Sequence, residues 1–119
     1  MIIDFHVHLF PPEVRQDRRA WFTGEPAFEL LYASPKATLV GAKDLLAAMD
    51  RDGVDRSVVF GFPWRSIERC RRHNDFILRA VARHPRRLVG FGCVDLHHPG
   101  AAEEAERCLA SGMAGIGEL

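Results

Sequence analysis

Neither sign of charge is in excess: sixteen lysines and arginines face sixteen aspartates and glutamates in 119 residues. A nucleic-acid binder normally carries a basic surplus, so that class is set aside. Lysine is scarce, confined to Lys36 and Lys43, which reads as coding bias rather than function. No apolar run approaches the ~20 residues of a membrane-spanning helix. The opening MIIDFHVHLF has no basic leader and no small-residue cleavage site, and it carries Asp4, His6 and His8 within its apolar stretch. It therefore does not read as a secretion signal. Cysteine is sparse and odd in number (Cys70, Cys93 and Cys108) with no CxxC pair. A reducing, cytoplasmic setting fits this better than a disulfide framework. There is no low-complexity tract and no visible domain boundary. What remains is an ordinary globular mix, 47% hydrophobic and 27% charged, the size of one domain or less.

Periodicity orders the chain. Residues 2–7 are an apolar, β-prone run broken by Pro11-Pro12. Residues 9–37 are irregular, rich in proline and in aromatics (Trp21, Phe22, Phe28, Tyr32), with a short helix expected around 26–32. Residues 41–52 carry Leu45, Leu46, Ala48 and Met49 on one helical face, and Gly53 suits the turn that ends it. The run 55–62 (DRSVVFGF) predicts a buried strand, 66–84 a helix closed by Pro85, and 88–94 (LVGFGCV) a third strand. Pro99 is expected to open a further helix, with Glu103 and Glu104 in its electropositive first turn and Gly112 at its end. Residues 113–119 read as a fourth strand. The order β-loop-α-β-α-β-α-β predicts an α/β fold with a parallel sheet.

His6-Val7-His8 carries the chemistry. Strand side chains alternate, so Ile2, Asp4, His6 and His8 are expected on one face, with Ile3, Phe5 and Val7 turned toward covering helices. Two imidazoles two residues apart can reach one metal ion at about 2.0–2.1 Å. They stand at the C-terminal end of the first strand, where β/α folds place their active sites. Asp4 is positioned to accept a hydrogen bond behind them. The plainer alternative, two histidines filling a core, would leave polar groups on an inward face at a cost.

DFHVHLFPPE resembles the opening of the amidohydrolase superfamily, particularly its amidohydrolase-related hydrolases and aminocarboxymuconate-semialdehyde-type decarboxylases. LLAAMDRDGVDRSVVFGFPW, ILRAVARHPRRLVGFGCVD and PGAAEEAERCLASGMAGIGEL support the resemblance in order along nearly the whole chain. It implies the first four strands of a (β/α)8 barrel, with His6 and His8 as ligands of a catalytic divalent metal, zinc with manganese as the alternative. Later family ligands, on the fifth, sixth and eighth strands, have no position here. The sequence is thus expected to be the first half of a longer protein or a truncated product, with the catalytic base beyond Leu119 and little turnover by these residues alone. Glu118, in a GE context similar to that of TatD-type nucleases, is a further metal candidate, against the plainer reading of an acid near an exposed end.

The loop 9–37 is expected to cover the metal and shape the pocket, with Phe10, Trp21, Phe22, Phe62 and Trp64 as candidate substrate contacts, simple rim packing being the alternative. Asp95 and His97-His98 follow the third strand and read as solvated loop or substrate-facing groups. His73 and His84 are expected at the surface or at a helix cap, and Cys93 as a small buried hydrophobe. The implied activity is metal-dependent hydrolysis of a C–N or C–O bond in a small carbonyl substrate by a metal-activated water. Non-oxidative decarboxylation of a small unsaturated or aromatic acid is the alternative. The rival from another class is a non-catalytic α/β module. A half-barrel alone would expose sheet edges and call for a second copy as partner.

Overall fold

A computed structural model describes residues 1–118. Four parallel strands, β1 (Ile3–His8), β2 (Arg56–Phe60), β3 (Leu88–Gly92) and β4 (Gly115–Ile116), pair in the order β1-β2-β3-β4. Between β1 and β2 lie α1 (Pro12–Gln16), a 3-10 turn (Arg18–Trp21), α2 (Pro26–Tyr32) and α3 (Ala42–Asp52). Helix α4 (Ile67–Arg83) links β2 to β3, and α5 (Ala101–Ala110) links β3 to β4. Spatial order follows chain order without reversal. A doubly wound sheet reverses at a switch point, whereas consecutive placement is how a β/α barrel closes.

The expected elements are present with shorter ends. The fourth strand pairs over two residues only, and Leu119 lies outside the described residues. Helix α5 begins at Ala101, because Gly100 takes the cap position expected of Pro99's neighbourhood. The segment 9–37 is more regular than its composition suggested. Pro12 and Pro26 each occupy a first-turn position of a helix, where a missing N–H costs nothing.

Two cores hold these layers. Behind the sheet, Val59, Leu88, Ile77, Ala80, Leu45, Met49 and Cys108 pack strands against α3, α4 and α5. At the C-terminal ends of β1 and β2, Phe10, Val14, Phe28, Phe62, Trp64 and Cys70 form an aromatic core under the long loop. Phe28 is its hub, 4.6 Å from the Trp64 ring and 5.0 Å from Tyr32 between centroids. Polar staples fix the loop. Arg18 donates to the carbonyls of Tyr32, Ser34 and Ala37. The buried carboxylate of Glu25 accepts from the backbone N–H groups of Arg65 and Ser66 at the start of α4.

The expected facing of β1 requires correction. The register to β2 shifts between Asp4 and Val7: Asp4 pairs with Ser57, but His8 pairs with Phe60. This bulge inserts one residue, so the alternation of Asp4 is not continuous with that of His6 and His8. Asp4 accepts a hydrogen bond from the backbone N–H of His6 (3.1 Å) instead of from an imidazole. Val7 packs on the helix-side core as expected, but Phe5 is 67% exposed and no described helix covers it.

Candidate metal centre

β1 delivers His6 and His8 to the concave end of the sheet, and the segment after β4 delivers Glu118. One ligand-type atom from each lies within 4.8 Å of the others. His6 Nε2 is 3.4 Å and His8 Nε2 3.1 Å from Glu118 Oε2. The histidine rings meet edge-on at 5.2 Å, and both stand perpendicular to Phe60, at 5.0 and 4.7 Å. Phe60 thereby braces the pair from the neighbouring strand.

The tautomer of His8 decides what the site can do. Its Nδ1 lies 2.7 Å from the carbonyl oxygen of Gly61, which can only accept. Nδ1 therefore carries a proton, and in the neutral ring Nε2 is a bare lone pair. That lone pair faces a carboxylate oxygen at 3.1 Å, acceptor against acceptor. Either a proton on Nε2, giving an ion pair, or a divalent cation held by both atoms resolves the conflict. Two imidazole nitrogens and one carboxylate are a donor set that divalent zinc and manganese both accept. A carbonyl on the second ring nitrogen is the usual orienting partner of a metal-binding histidine. The donor set thus fits such an ion, with His6, His8 and Glu118 as the groups that would hold it.

Glu118 reaches the histidines from beyond the end of β4. Alternation groups it with Ile116, yet Ile116 packs on the helix-side core. Strand pairing ends at Ile116, so the period of two no longer applies two residues later.

A cleft of about 220 Å³ opens beside the triad, lined by His8, Glu118, Tyr32, Phe62, Leu31 and Pro63. Burial and then the Glu118 carboxylate raise the Tyr32 phenol above its ordinary pKa, so it stays protonated. The sequence names Tyr32 only among the aromatics of the loop, and nothing in it singles out Leu31. A larger, open hollow of about 510 Å³ lies at the opposite end of the strands, around Met1, Asp55, Arg56 and Arg87, remote from these donors.

Of the expected substrate contacts, only Phe62 lines the cleft. Phe10 and Trp64 are buried in the aromatic core. Trp21 packs on Trp64 under the guanidinium of Arg69, and Phe22 packs on Phe28. The short turns of the loop send Trp21 and Phe22 into the aromatic core, while Phe10 also stacks on the His8 ring at 6.4 Å.

His73 is neither surface nor cap: it is 3% exposed. Trp64 Nε1–H donates to its Nδ1 (2.9 Å), and its Nε2–H donates to the Leu9 carbonyl (2.6 Å). Burial lowers its pKa to about 4. His84 does take the C-cap position of α4. Asp95 accepts from the backbone N–H of His97, and His98 Nδ1 from that of Gly100, so these groups serve their own loop. Cys93 is buried as expected, its thiol pushed up to about 12 by burial.

Comparison with known proteins follows the same line. The model of a family described as Amidohydrolase matches residues 3–117. Among solved structures, a dihydroxybenzoic acid decarboxylase from Polaromonas sp. JS666, with bound manganese and the inhibitor 2-nitroresorcinol, is 26% identical with a TM-score of 0.65. The match covers 97% of this chain and 37% of that one. A 5-carboxyvanillate decarboxylase from Novosphingobium aromaticivorans, complexed with manganese, is 22% identical (TM-score 0.74; 98% and 40% covered). A 4-oxalomesaconate hydratase from Rhodopseudomonas palustris is 20% identical (TM-score 0.64; 98% and 40% covered). The last two speak for the fold, that of the first four units of a (β/α)8 barrel. The chain spans about two fifths of the length of these solved structures.

Proposed function

Because this chain belongs to the amidohydrolase family, we propose that its residues form the metal-anchoring side of an enzyme acting on a small carboxylated substrate. We further propose that the reaction is non-oxidative decarboxylation of an aromatic or unsaturated acid. The observation that carries the proposal is the convergence of His6 Nε2, His8 Nε2 and the Glu118 carboxylate, with His8 fixed in the ligating tautomer by Gly61. A divalent ion held there supplies Lewis acidity toward an oxygen of the substrate.

The chain's own part is binding and exclusion. Phe62, Leu31 and Pro63 give the cleft apolar walls on which a planar ring can lie. Tyr32, kept protonated, offers a hydrogen-bond donor at its rim. On decarboxylation the bond to the carboxylate breaks, its electron pair stays on the ring carbon, and a proton must reach that carbon. That proton donor is expected outside the described residues, as are the further ligands that the family resemblance implies on later strands. Residues 1–119 alone are therefore expected to show little turnover. Hydrolysis of a C–N or C–O bond is the second reading, supported by the same donor set, which serves either reaction.

The test has two arms. Wild-type protein, stripped and titrated with Mn2+ or Zn2+, is compared with His6→Ala/His8→Ala. Unchanged metal stoichiometry in the double variant removes the site. The longest version of the protein is then assayed for CO2 release from hydroxybenzoates and an unsaturated amino acid-derived acid, beside a lactone. Lactone opening without CO2 release would replace the decarboxylase reading by the hydrolase one.

A further inference from the structure

Helix α4 carries two adjacent buried polar residues, His73 and Asn74, on a face otherwise made of Cys70, Ile77 and Ala80. His73 bonds the segment that bears His8, and Asn74 bonds Cys93, which in turn bonds the backbone of Glu118. His73 Nε2–H donates to the carbonyl of Leu9, the residue after His8. Its ring also lies against Gly61, where an added Cβ would come within 2.7–2.9 Å of the imidazole, and Gly61 is the residue whose carbonyl fixes the His8 tautomer. Trp64 Nε1–H on His73 Nδ1 settles which nitrogen donates.

Asn74 works on the other side. Its Oδ1 accepts from the N–H of Cys93 (3.0 Å), and its Nδ2 donates to the Cys93 carbonyl (3.1 Å) and to Glu104 Oε1 (3.0 Å). Cys93 Sγ–H in turn donates to the backbone carbonyl of Glu118 (3.0 Å). One turn of one helix therefore touches the supports of His8 and of Glu118 simultaneously.

We propose that His73 and Asn74 are positioning residues that set the separation of His8 from Glu118 and thereby the affinity and geometry of the metal site. The inference rests on reading His6, His8 and Glu118 as that site. Burying an imidazole and a carboxamide in a helix stripe brings little by way of packing and demands full hydrogen bonding. His73 meets it at the carbonyl beside His8 and at Trp64, and Asn74 at the backbone of Cys93 and at Glu104.

The test is Mn2+ affinity by chelator competition, with the visible spectrum of the Co2+-loaded protein as the geometric readout. His73→Leu and Asn74→Ala are each expected to weaken Mn2+ binding by about 10–100-fold, the range for orienting partners of metal ligands, and to shift the Co2+ bands. His73→Gln, whose terminal amide can donate toward Leu9, is expected to recover much of that loss. Ile77→Ala, on the same face with no polar link to the site, is expected to lower the melting temperature while Mn2+ affinity holds. Equal losses of affinity in Ile77→Ala and His73→Leu, or unaltered affinity and spectrum in both polar variants, would overturn the inference. Failure of the wild-type protein to take up Mn2+ would overturn the metal reading and this inference with it. Normal wild-type uptake with indifferent variants would sink the inference alone.

Discussion

Gly61→Ala should be among the costliest single-methyl additions in the chain. An alanine Cβ at this position would sit 2.7 Å from His73 Cγ, 2.8 Å from Cδ2 and 2.9 Å from Nδ1. The imidazole cannot retreat, because Trp64 holds Nδ1 and Leu9 holds Nε2. The backbone at 61 must move instead, and it takes with it the carbonyl that His8 Nδ1–H donates to. Overpacking of this kind costs about 1–3 kcal/mol, which for a domain of this size lowers the melting temperature by roughly 5–15 °C. Gly41→Ala is the contrast. Its Cβ would come equally close, at 2.8 Å, but to the guanidinium end of Arg15, which can swing aside. The lesser N-cap preference of alanine costs about 0.5–1 kcal/mol, and any loosening of the Arg15 Nε–H bond to the Phe10 carbonyl adds up to about 1 kcal/mol. Thermal melts of both variants, and of Gly61→Ala in a His73→Ala background, provide the assay. Removing the ring should relieve the clash, giving a coupling of about 0.5–3 kcal/mol. A Gly61→Ala protein that melts within 2 °C of wild type (roughly 0.4 kcal/mol), or one equally destabilised with and without the His73 ring, would refute the steric reasoning.

Stability should fall on acidification in two windows. Burial holds His73 near pKa 4 in the fold against 6.5 when unfolded, so the unfolded chain binds the extra proton, and ~3 kcal/mol present above pH 6.5 is lost as pH falls toward 4. His73→Gln should flatten that window in a pH series of denaturant melts, and an unchanged slope would contradict it. Glu104 behaves with the opposite chemistry but the same direction. Burial opposes its charge, yet hydrogen bonds from Arg107 and Asn74 outweigh burial and lower its pKa, so its contribution is present above the ordinary carboxylate range and is lost below about pH 4. Glu104→Gln should cost about 2 kcal/mol at neutral pH and remove the lower window, and a variant as stable as wild type at pH 7 would count against this. Trp21→Ala should lower stability by up to ~3 kcal/mol with KM unchanged, whereas Phe62→Ala should raise KM. The reverse pattern would show that the loop presents Trp21 to substrate after all.

Which parts of the site were legible in the sequence depends on how far each residue lies from its partners along the chain. His6 and His8 needed only a period of two across three residues, although His6 lies within the bulge, the register shift between Asp4 and Val7. Asp4 lies across that bulge, which exists only in the register to β2, and no local pattern encodes it. Glu118 was found by its glycine-glutamate context rather than by alternation, which fails once pairing stops at Ile116. The aromatic content of 9–37 announced a packed loop, but the facing of Trp21 and Tyr32 depends on three short turns whose directions arise from staples such as Arg18 to the carbonyls of 32, 34 and 37.

His73 and Asn74 were readable and were missed. Cys70, His73, Asn74, Ile77 and Ala80 follow the spacing of a single buried helical stripe, so both polar residues belong to the face that packs inward. A buried imidazole and a buried carboxamide need partners, and regular strands have already committed their N–H and C=O groups to one another. The free groups are those just past the strand ends, at Leu9, Gly61 and Cys93, because pairing has stopped there. In a β/α unit those same residues adjoin the ligand-bearing positions. A polar pair on the apolar stripe of a helix, in the turns that reach the C-terminal ends of the strands, is therefore a sequence signal for the supports of a site even where the site's own residues are far away in the chain. Here the signal lies 65 residues from His8 and 44 from Glu118 along the chain, while the hydrogen bonds that connect them are between 2.6 and 3.1 Å.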